Sequence, residues 1–250
     1  MVSIDRVYQK VLAFANKEQR GYITPQEFNL FADQAQMEIF EQYFYDLNQF
    51  LRLPGNSTGY SDMVNNLEEK ISIFEKYNQE AKVVGDFGDV GLQFFSKVYR
   101  LQTVTVRYNS QELVTAEAIQ LNELSKYSQS PLAKWSKKRP VYTARGGDFV
   151  ADTGSRNLLK IYPYPSSDRS IDKVYISYIQ TPNVPNWAYQ VVDKKALYSE
   201  GETINFELHL SEESELVYRI LAYAGISMDK LNLTQTAAAL EQSKVQQEKQ

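Results

Sequence analysis

The strongest constraint on this chain is a helical periodicity that runs over residues 22–53. Its start is specified by Thr24, a hydroxyl N-cap, by Pro25 at the first helical position, and by Glu27, which can hydrogen-bond back to the cap backbone. Two apolar stripes follow at helical spacing, namely Phe28, Phe31, Ala35, Ile39, Tyr43, Leu47 and Phe50 in the first, and Leu30, Met37, Phe40, Phe44 and Leu51 in the second. A surface helix needs only one such stripe. The sequence therefore predicts a long helix covered on both sides, by its own domain and by another layer or subunit.

The composition excludes several classes of function. The 250 residues suffice for one or two domains with a sizeable core, and the formal net charge of −4 argues against a protein that coats nucleic acid by bulk electrostatics. The chain contains no cysteine, which excludes disulfides, thiol catalysis and cysteine-ligated metal sites. No apolar run approaches the roughly 18 residues of a membrane span, and the first residues lack the apolar core of a signal peptide. We therefore expect the chain to be made, and to stay, in a cytosol-like compartment until any assembly it joins departs.

The remaining periodicities predict helices towards both ends of the chain and strands between them. Helical spacing covers residues 3–16, 61–79 and 211–225, with a further short helix at 117–127. Strands are predicted at 104–108, 141–144, 158–162, 174–179 and 204–210, and the last of these alternates most strictly. Residues 163–170 suit a hairpin connection. The polar segment 234–248 is marginal as a helix, so it either frays or docks on a partner.

This order of elements predicts an α+β fold in which N- and C-terminal helices form a helical bundle with an inserted antiparallel β domain. We expect residues 1–82 to be an N-terminal helical part and residues 83–203 to be the inserted β-rich part. Residues 204–250 are then a strand plus C-terminal helices that pack back on the helical part.

Three stretches have some of the features of functional motifs. Residues 16–27 fit the frame of an EF-hand loop, but Arg20 is a fixed cation where calcium needs an oxygen, so a helical joint with a capping box is favoured. Residues 85–88 contain the kinase magnesium triplet without its partner motifs, which indicates a joint between the helical and β parts. His209 is the only histidine and no GxSxG elbow accompanies it, so a surface strand histidine is favoured. None of the three predicts a catalytic, metal or cofactor site.

Two charged clusters also stand out. The one dense basic run consists of Lys134, Trp135, Ser136, Lys137, Lys138 and Arg139. Such a run with an aromatic residue can contact phosphates, although it is more often a solvated loop or an interface rim. Glu212, Glu213 and Glu215 lie at a helix start, where the helix dipole explains them without an acid–base role.

Several phrases along nearly the whole chain resemble, in order, a family of tailed-phage virion structural proteins. They are ITPQEF (23–28), FEQYFYDLNQF (40–50), SPL (130–132) before RPVY (139–142), IYP (161–163), YI (178–179) with Pro182, PNW (185–187) and FELHLSEESELVYRILAYAGI (206–226). Proteins with this pattern look like the ring-forming adaptors, or head–tail connectors, beneath the portal of short-tailed and crAss-like phages.

The resemblance implies a helical bundle with a β insertion and assembly into a homo-oligomeric ring, commonly a dodecamer. It implies contacts to the portal protein above and to tail or second connector-ring proteins below, at the head–tail junction of a virion made in the host bacterial cytoplasm. DNA would pass through the lumen without specific binding, which agrees with the acidic balance of the chain. No catalytic residue, metal or cofactor is implied, and no membrane.

The leading hypothesis is therefore a non-enzymatic connector subunit that joins portal to tail. Interface residues are expected on the long helix, in loops and in the tail segment: Phe40, Tyr43, Phe44, Trp135, Lys137, Lys138, Arg139, Trp187 and Leu240. Two alternatives stay open. One is a nucleic-acid-binding accessory protein that uses residues 134–139, and the other is a hydrolase of unusual design that uses the glutamates or His209.

Overall fold

The computed structural model describes residues 1–17, 23–52, 58–84, 89–91, 98–109, 112–144, 149–150, 155–163, 171–193, 195–227 and 239. The helices in this part of the chain are α1 (Ile4–Lys17), α2 (Pro25–Arg52), α3 (Thr58–Ser72), α4 (Leu124–Gln129) and α5 (Glu213–Ser227). The strands are β1 (Glu75–Val84), β2 (Asp89–Gly91), β3 (Val98–Tyr108), β4 (Val114–Ala118), β5 (Val141–Ala144), β6 (Phe149–Val150), β7 (Ser155–Tyr162), β8 (Ile171–Gln180), β9 (Tyr189–Val192) and β10 (Lys195–Tyr198). The predicted α+β class is confirmed.

The chain divides into two compact units. The helical unit comprises Met1–Ile73 and Pro182–Gln250, and the sheet unit comprises Phe74–Thr181. The helical unit contains α1–α3, α5, β9 and β10, and the sheet unit contains β1–β8 and α4. The chain passes from one unit to the other at residues 73–74 and 181–182. The sequence predicts these boundaries at residues 83 and 204.

The long helix α2 is the central element of the helical unit, where it packs against α3 and α5. Its predicted capping box is confirmed. Glu27 accepts hydrogen bonds from the Thr24 backbone N–H at 3.0 Å and from the Thr24 hydroxyl at 2.8 Å, and Thr24 Oγ1 accepts from the Glu27 N–H at 3.3 Å. These bonds satisfy two donors that a helix start otherwise leaves without partners.

Both apolar stripes of α2 contribute to the core of the helical unit. Phe28 and Ile39 of the first stripe are buried, and so is Phe40 of the second. Leu30 and Tyr45, in contrast, are 72% and 68% exposed. Much of the apolar circumference of α2 is thus covered within the subunit, and these two positions are open.

α1 packs against α5. Ile4, Val7, Val11 and Ala15 are buried as predicted, whereas Phe14, predicted in the same stripe, is 46% exposed. The sequence also predicts helix over residues 61–79, but α3 ends at Ser72 and β1 begins at Glu75.

The strand at β1 forms because β8, a central strand, needs hydrogen-bonding partners on both of its edges. The Gln180 N–H donates to the Phe74 carbonyl at 2.8 Å, where this pairing begins. Asn78 has a φ of 53°, outside the helical region, at an irregularity in the β1–β8 register. Tertiary pairing therefore overrides a segment whose local pattern fits a helix.

The sheet of the sheet unit has the strand order β2-β1-β8-β3-β4-β5-β7-β6, and β2 also pairs with β7, so the sheet curls and closes on itself. The pairings are antiparallel except for β4 with β5, which is parallel and was not expected. Its core consists of Ala81, Val104, Val106, Tyr108, Ala116, Tyr142, Leu159, Ile161, Val174, Ile176 and Tyr178.

Two predictions in this unit are wrong. Residues 117 and 118, predicted as the start of a helix, end β4 because they pair with β5, and α-helix begins only at α4. β7 and β8 do not form a hairpin, since β8 lies between β1 and β3 while β7 pairs with β5. The predicted strands at 141–144, 158–162 and 174–179 are confirmed as β5 and parts of β7 and β8.

The most regular alternation, residues 204–210, is not a strand. Ile204 and Phe206 each make one isolated bridge, to Asn186 and Val2. The Glu207 N–H donates instead to the Gln36 side chain of α2 at 3.1 Å. Phe206 and Leu208 are buried as predicted, but Leu210 is 63% exposed. The extended segment therefore buries Phe206 and Leu208 in the helical unit without joining a sheet.

α5 buries the predicted apolar stripe, Leu216, Val217, Ile220, Leu221 and Ala224. It continues to Ser227, beyond the predicted end at Gly225. The predicted segment 234–248 lies outside the described residues, apart from position 239.

Candidate functional site

The aromatic residues expected at an interface lie mostly inside the subunit. Phe40 and Tyr43 are buried on α2, and Trp187 is 3% exposed. Phe44 is half-buried and packs edge-on against Phe40, with ring centroids 5.1 Å apart. Phe40, Tyr43 and Trp187 therefore have almost no accessible area to give to a neighbouring subunit, because their hydrophobic area is already used in their own core.

Trp187 is held by hydrogen bonds as well as by packing. Its Nε1–H donates to Asp5 at 2.9 Å, and its backbone N–H donates to the Asn29 side chain at 2.9 Å. Its ring lies 4.3 Å from that of Tyr8 and 5.8 Å from those of Tyr189 and Tyr198. Trp187 thus anchors the β9–β10 hairpin, which carries the last two rings, to α1 and α2.

The β9–β10 hairpin itself exposes apolar side chains. Val191 is 68% exposed, Val192 49%, Leu197 52% and Tyr198 39%. In the register Tyr189↔Tyr198 and Val191↔Ala196, one hairpin face begins on Trp187 and ends at exposed Val191, and exposed Val192 and Leu197 lie on the opposite face. A two-stranded hairpin is only marginally stable alone, so the aromatic anchor at its base is what presents this apolar surface, which we call the hairpin surface.

A buried charged network joins α2 to α5. Arg219, 8% exposed, donates through Nη2 to Glu215 at 2.6 Å and through Nη1 to Glu38 at 3.2 Å. Burial opposes ionisation of Glu38, but hydrogen bonds from Tyr223 and Gln34 and the charge of Arg219 hold the pKa of Glu38 below its ordinary value. Burial, together with the nearby Glu38 carboxylate, raises the pKa of Tyr223 well above its ordinary value. The network links α2 to α5 through one guanidinium that is shared by two carboxylates.

A cavity of about 420 Å³ opens in the helical unit beside α2, α3 and the turn before α5. Its lining consists of Gln42, Asp46, Phe50, Met63, Asn66, Leu67, Glu69, Lys70, His209 and Ser211. Lys70 is paired with the buried Glu212 at 2.7 Å, so its charge is already opposed. The lining therefore has a formal charge of −1, from Asp46 and Glu69 against Lys70, and the Lys70 cation is opposed by Glu212 outside the lining. We call this cavity the acidic pocket.

The predicted glutamate cluster is more than a helix-dipole feature. Glu212 is 1% exposed and pairs with Lys70 of α3, while Glu213 pairs with Arg6 at 3.0 Å and Lys10 at 2.5 Å of α1. Glu215 pairs with Arg219. Arg219 is one turn away on the same helix, but the sequence could not show Lys70, Arg6 and Lys10 as partners, because they come from helices distant in the chain.

His209 lies in a helix cap rather than on a strand. Its Nδ1 accepts a hydrogen bond from the Ser211 N–H at 3.3 Å, and the Ser211 hydroxyl donates to Glu212 at 2.9 Å. In a serine-hydrolase triad the carboxylate holds Nδ1, and Nε2 takes the serine proton. The serine and carboxylate are therefore on the wrong side of this imidazole for that chemistry, and the contacts start the helix instead.

The basic run forms a tight turn on the sheet unit. The N–H groups of Ser136 and Arg139 each donate to the carbonyl of the other, at 3.1 and 3.0 Å, which places Lys137 and Lys138 at the tip. Arg139 pairs with Glu117 at 3.0 Å. Lys138 is exposed and Lys137 is half-buried. We call residues 136–139 the lysine turn.

Trp135 precedes the lysine turn and is half-buried. Its ring lies 5.0 Å from that of Tyr162 and packs on the small core cluster formed with Ile119 and Val141. Part of the ring that base stacking would require is thus already in contact with the protein.

Three predicted features lie partly or wholly outside the described residues: the loop 18–22, the Gly-Asp-Phe-Gly stretch 85–88 and the interface residue Leu240. Among the residues that are described, no group of three or more histidine, aspartate or glutamate side chains is arranged to hold a metal ion. None of the described helices is long and apolar enough to cross a membrane.

No family model matches this chain, and no curated protein matches it.

Proposed function

We propose that this chain is a non-enzymatic structural subunit of a tailed-phage virion, a head–tail connector or adaptor. Copies join side by side into a ring, of twelve subunits in the commonest case, that binds the portal protein on one side and tail or second-ring proteins on the other. DNA passes through the lumen without specific binding. The ring assembles in the host bacterial cytoplasm and leaves in the particle. The support is the resemblance over nearly the whole chain, together with the surface described next.

The observation that carries the proposal is the hairpin surface. Four neighbouring positions of a two-stranded hairpin, Val191, Val192, Leu197 and Tyr198, are between 39% and 68% exposed. By the register, Val191 and Tyr198 lie on one face of the hairpin and Val192 and Leu197 on the other, so both faces offer apolar area to a protein partner rather than to a polar ligand. Leu30 and Tyr45 add two open apolar positions on α2.

We include in the same proposal the arrangement of the fold as a helical bundle, made from both ends of the chain, with the β domain inserted into it. The helical unit combines residues from both ends of the chain, which supports a terminal helical bundle with the sheet unit inserted into it. In the proposed ring, each copy contacts a neighbour through the hairpin surface of its helical unit.

The test uses matched leucines. Leu197→Ser removes an exposed apolar side chain from the hairpin surface, and Leu113→Ser removes one of nearly equal exposure, 50% against 52%, from the sheet unit. Partial burial of a leucine contributes roughly 1 kcal/mol at each subunit contact. We expect Leu197→Ser to shift self-association, measured by sedimentation velocity, to higher protein concentration, whereas Leu113→Ser has the smaller effect. Equal behaviour of both variants and the unmodified chain would contradict a role for the hairpin surface.

A second measurement addresses the virion itself. Mass spectrometry of purified particles of the parent phage should detect this chain in a fixed ratio to the portal protein. Its absence from intact particles would overturn the proposed function.

A further inference from the structure

The acidic pocket has the chemistry to receive a basic side chain. Phe50, Met63 and Leu67 form an apolar wall, and Asp46, which is 9% exposed, is a carboxylate lining the same cavity. A lysine places its methylene stem on apolar surface and its ammonium on polar groups. A cavity of about 420 Å³ is within the range of roughly 300–1,000 Å³ that holds small ligands, and exceeds what a lysine side chain fills.

The lysine turn has the complementary shape and charge. Its two backbone hydrogen bonds hold a narrow loop with lysines at the tip, and residues 134–139 carry four cations and no carboxylate. The rest of the chain therefore has a formal charge of −8, given the total of −4. A rigid turn loses little conformational entropy on docking, which favours recognition.

We propose that the lysine turn of one copy docks into the acidic pocket of the next copy, with Lys138 entering beside Asp46 and Glu69. The inference rests on the proposed ring, because it names a second contact between neighbouring subunits, besides the hairpin surface. The pocket and the turn are different surfaces of the same chain, so their pairing is heterologous, and heterologous contacts build rings or open filaments rather than two-fold dimers. Each copy then has one turn to donate and one pocket to fill.

Cysteine pairing tests the contact directly, because the chain contains no cysteine of its own. Asn66→Cys places a thiol at the pocket and Ser136→Cys places one beside the tip lysines without removing them. A mixture of the two variants should form a disulfide-linked pair of copies under mild oxidation. Asn66→Cys mixed with Thr103→Cys, an exposed position on β3, is the control and should not cross-link above background.

Charge reversal tests the chemistry of the contact. Lys138→Glu should weaken self-association about tenfold or more, and Glu69→Lys should do the same, since each places like charges together. Lys138→Glu mixed with Glu69→Lys should recover part of the loss in the mixed contacts. Lys126→Glu, at an exposed position of α4, is the matched control and should behave like the unmodified chain.

The outcomes separate this inference from the proposed function. Rings that form without the 66–136 cross-link, or that ignore Lys138→Glu, overturn the docking and leave the connector proposal intact. A chain that stays a single copy with and without portal protein overturns both. If Lys138→Glu leaves assembly unchanged but abolishes salt-sensitive DNA binding, the turn binds phosphates and the docking is wrong.

Discussion

Trp187 offers the sharpest test of how the helical unit is built, because it was expected at an interface and lies in the core. Truncating a buried tryptophan to alanine costs about 3–5 kcal/mol through lost contacts and a cavity. The substitution also removes the Nε1–H donor that serves Asp5 at 2.9 Å. A hydrogen bond to a charged group contributes about 1.5–3 kcal/mol, and water recovers part of this loss because Asp5 is half-exposed.

For Trp187→Ala we therefore expect the free energy of unfolding to fall by about 4–5 kcal/mol, and Tm to fall by on the order of 10 °C. Urea unfolding followed by far-ultraviolet circular dichroism measures the change. Trp187→Phe is the matched control: it retains an aromatic ring against Tyr8 but lacks the donor, so its loss should be about 1–2 kcal/mol. A Trp187→Ala protein within about 1 kcal/mol of the unmodified chain would refute the core role and return Trp187 to the interface.

Three further predictions concern single contacts in the helical unit. Thr24→Ala should lower the free energy of unfolding by about 1 kcal/mol because it removes the N-cap of α2, and Thr24→Ser should retain most of it; urea titration of the pair checks this. Lys70→Met should cost about 3 kcal/mol by the same assay, because the Glu212 carboxylate, which is 1% exposed, loses the Lys70 cation, whereas Lys126→Met on the surface should change stability by less than about 0.5 kcal/mol. Glu38 has a pKa below its ordinary value of 4.5 in the folded chain, so its contribution to stability is present above pH 4.5 and is lost as the pH falls through the lower folded value. Glu38→Gln should accordingly flatten the acid side of a stability–pH curve; an unchanged acid limb would contradict the assignment.

The helices with strong local signals were predictable from sequence. The Thr24–Glu27 capping box and the apolar stripe of α5 both depend on residues within a few positions of one another, and both are confirmed. The strands β5, β7 and β8 were found for the same reason, since their apolar residues recur locally.

The wrong secondary-structure predictions have a common cause, which is hydrogen bonding between residues far apart in the chain. Residues 75–79 became a strand because β8 required a partner on that edge, and residues 204–210 failed to become one because α2 supplied Gln36 to their backbone. Neither partner is visible in the local pattern. The ion pairs of Glu212 and Glu213 are equally remote, since Lys70 and Lys10 lie on other helices.

The exposed apolar residues were the hardest feature to predict. The aromatic character of Phe40, Tyr43 and Trp187 indicated interface residues. Aromatic residues, however, stabilise cores as readily as contacts between subunits. The local pattern does not single out the exposed hairpin residues Val191 and Leu197, because only the folded register brings them onto one small hairpin.

The mass of the purified full-length chain in solution tests the central claim most directly, measured by native mass spectrometry alone and with portal protein. One subunit is 28.8 kDa. A connector predicts a discrete multiple of this mass, formed either spontaneously or on addition of portal. A species of 28.8 kDa that persists at every concentration and in the presence of portal would contradict the account.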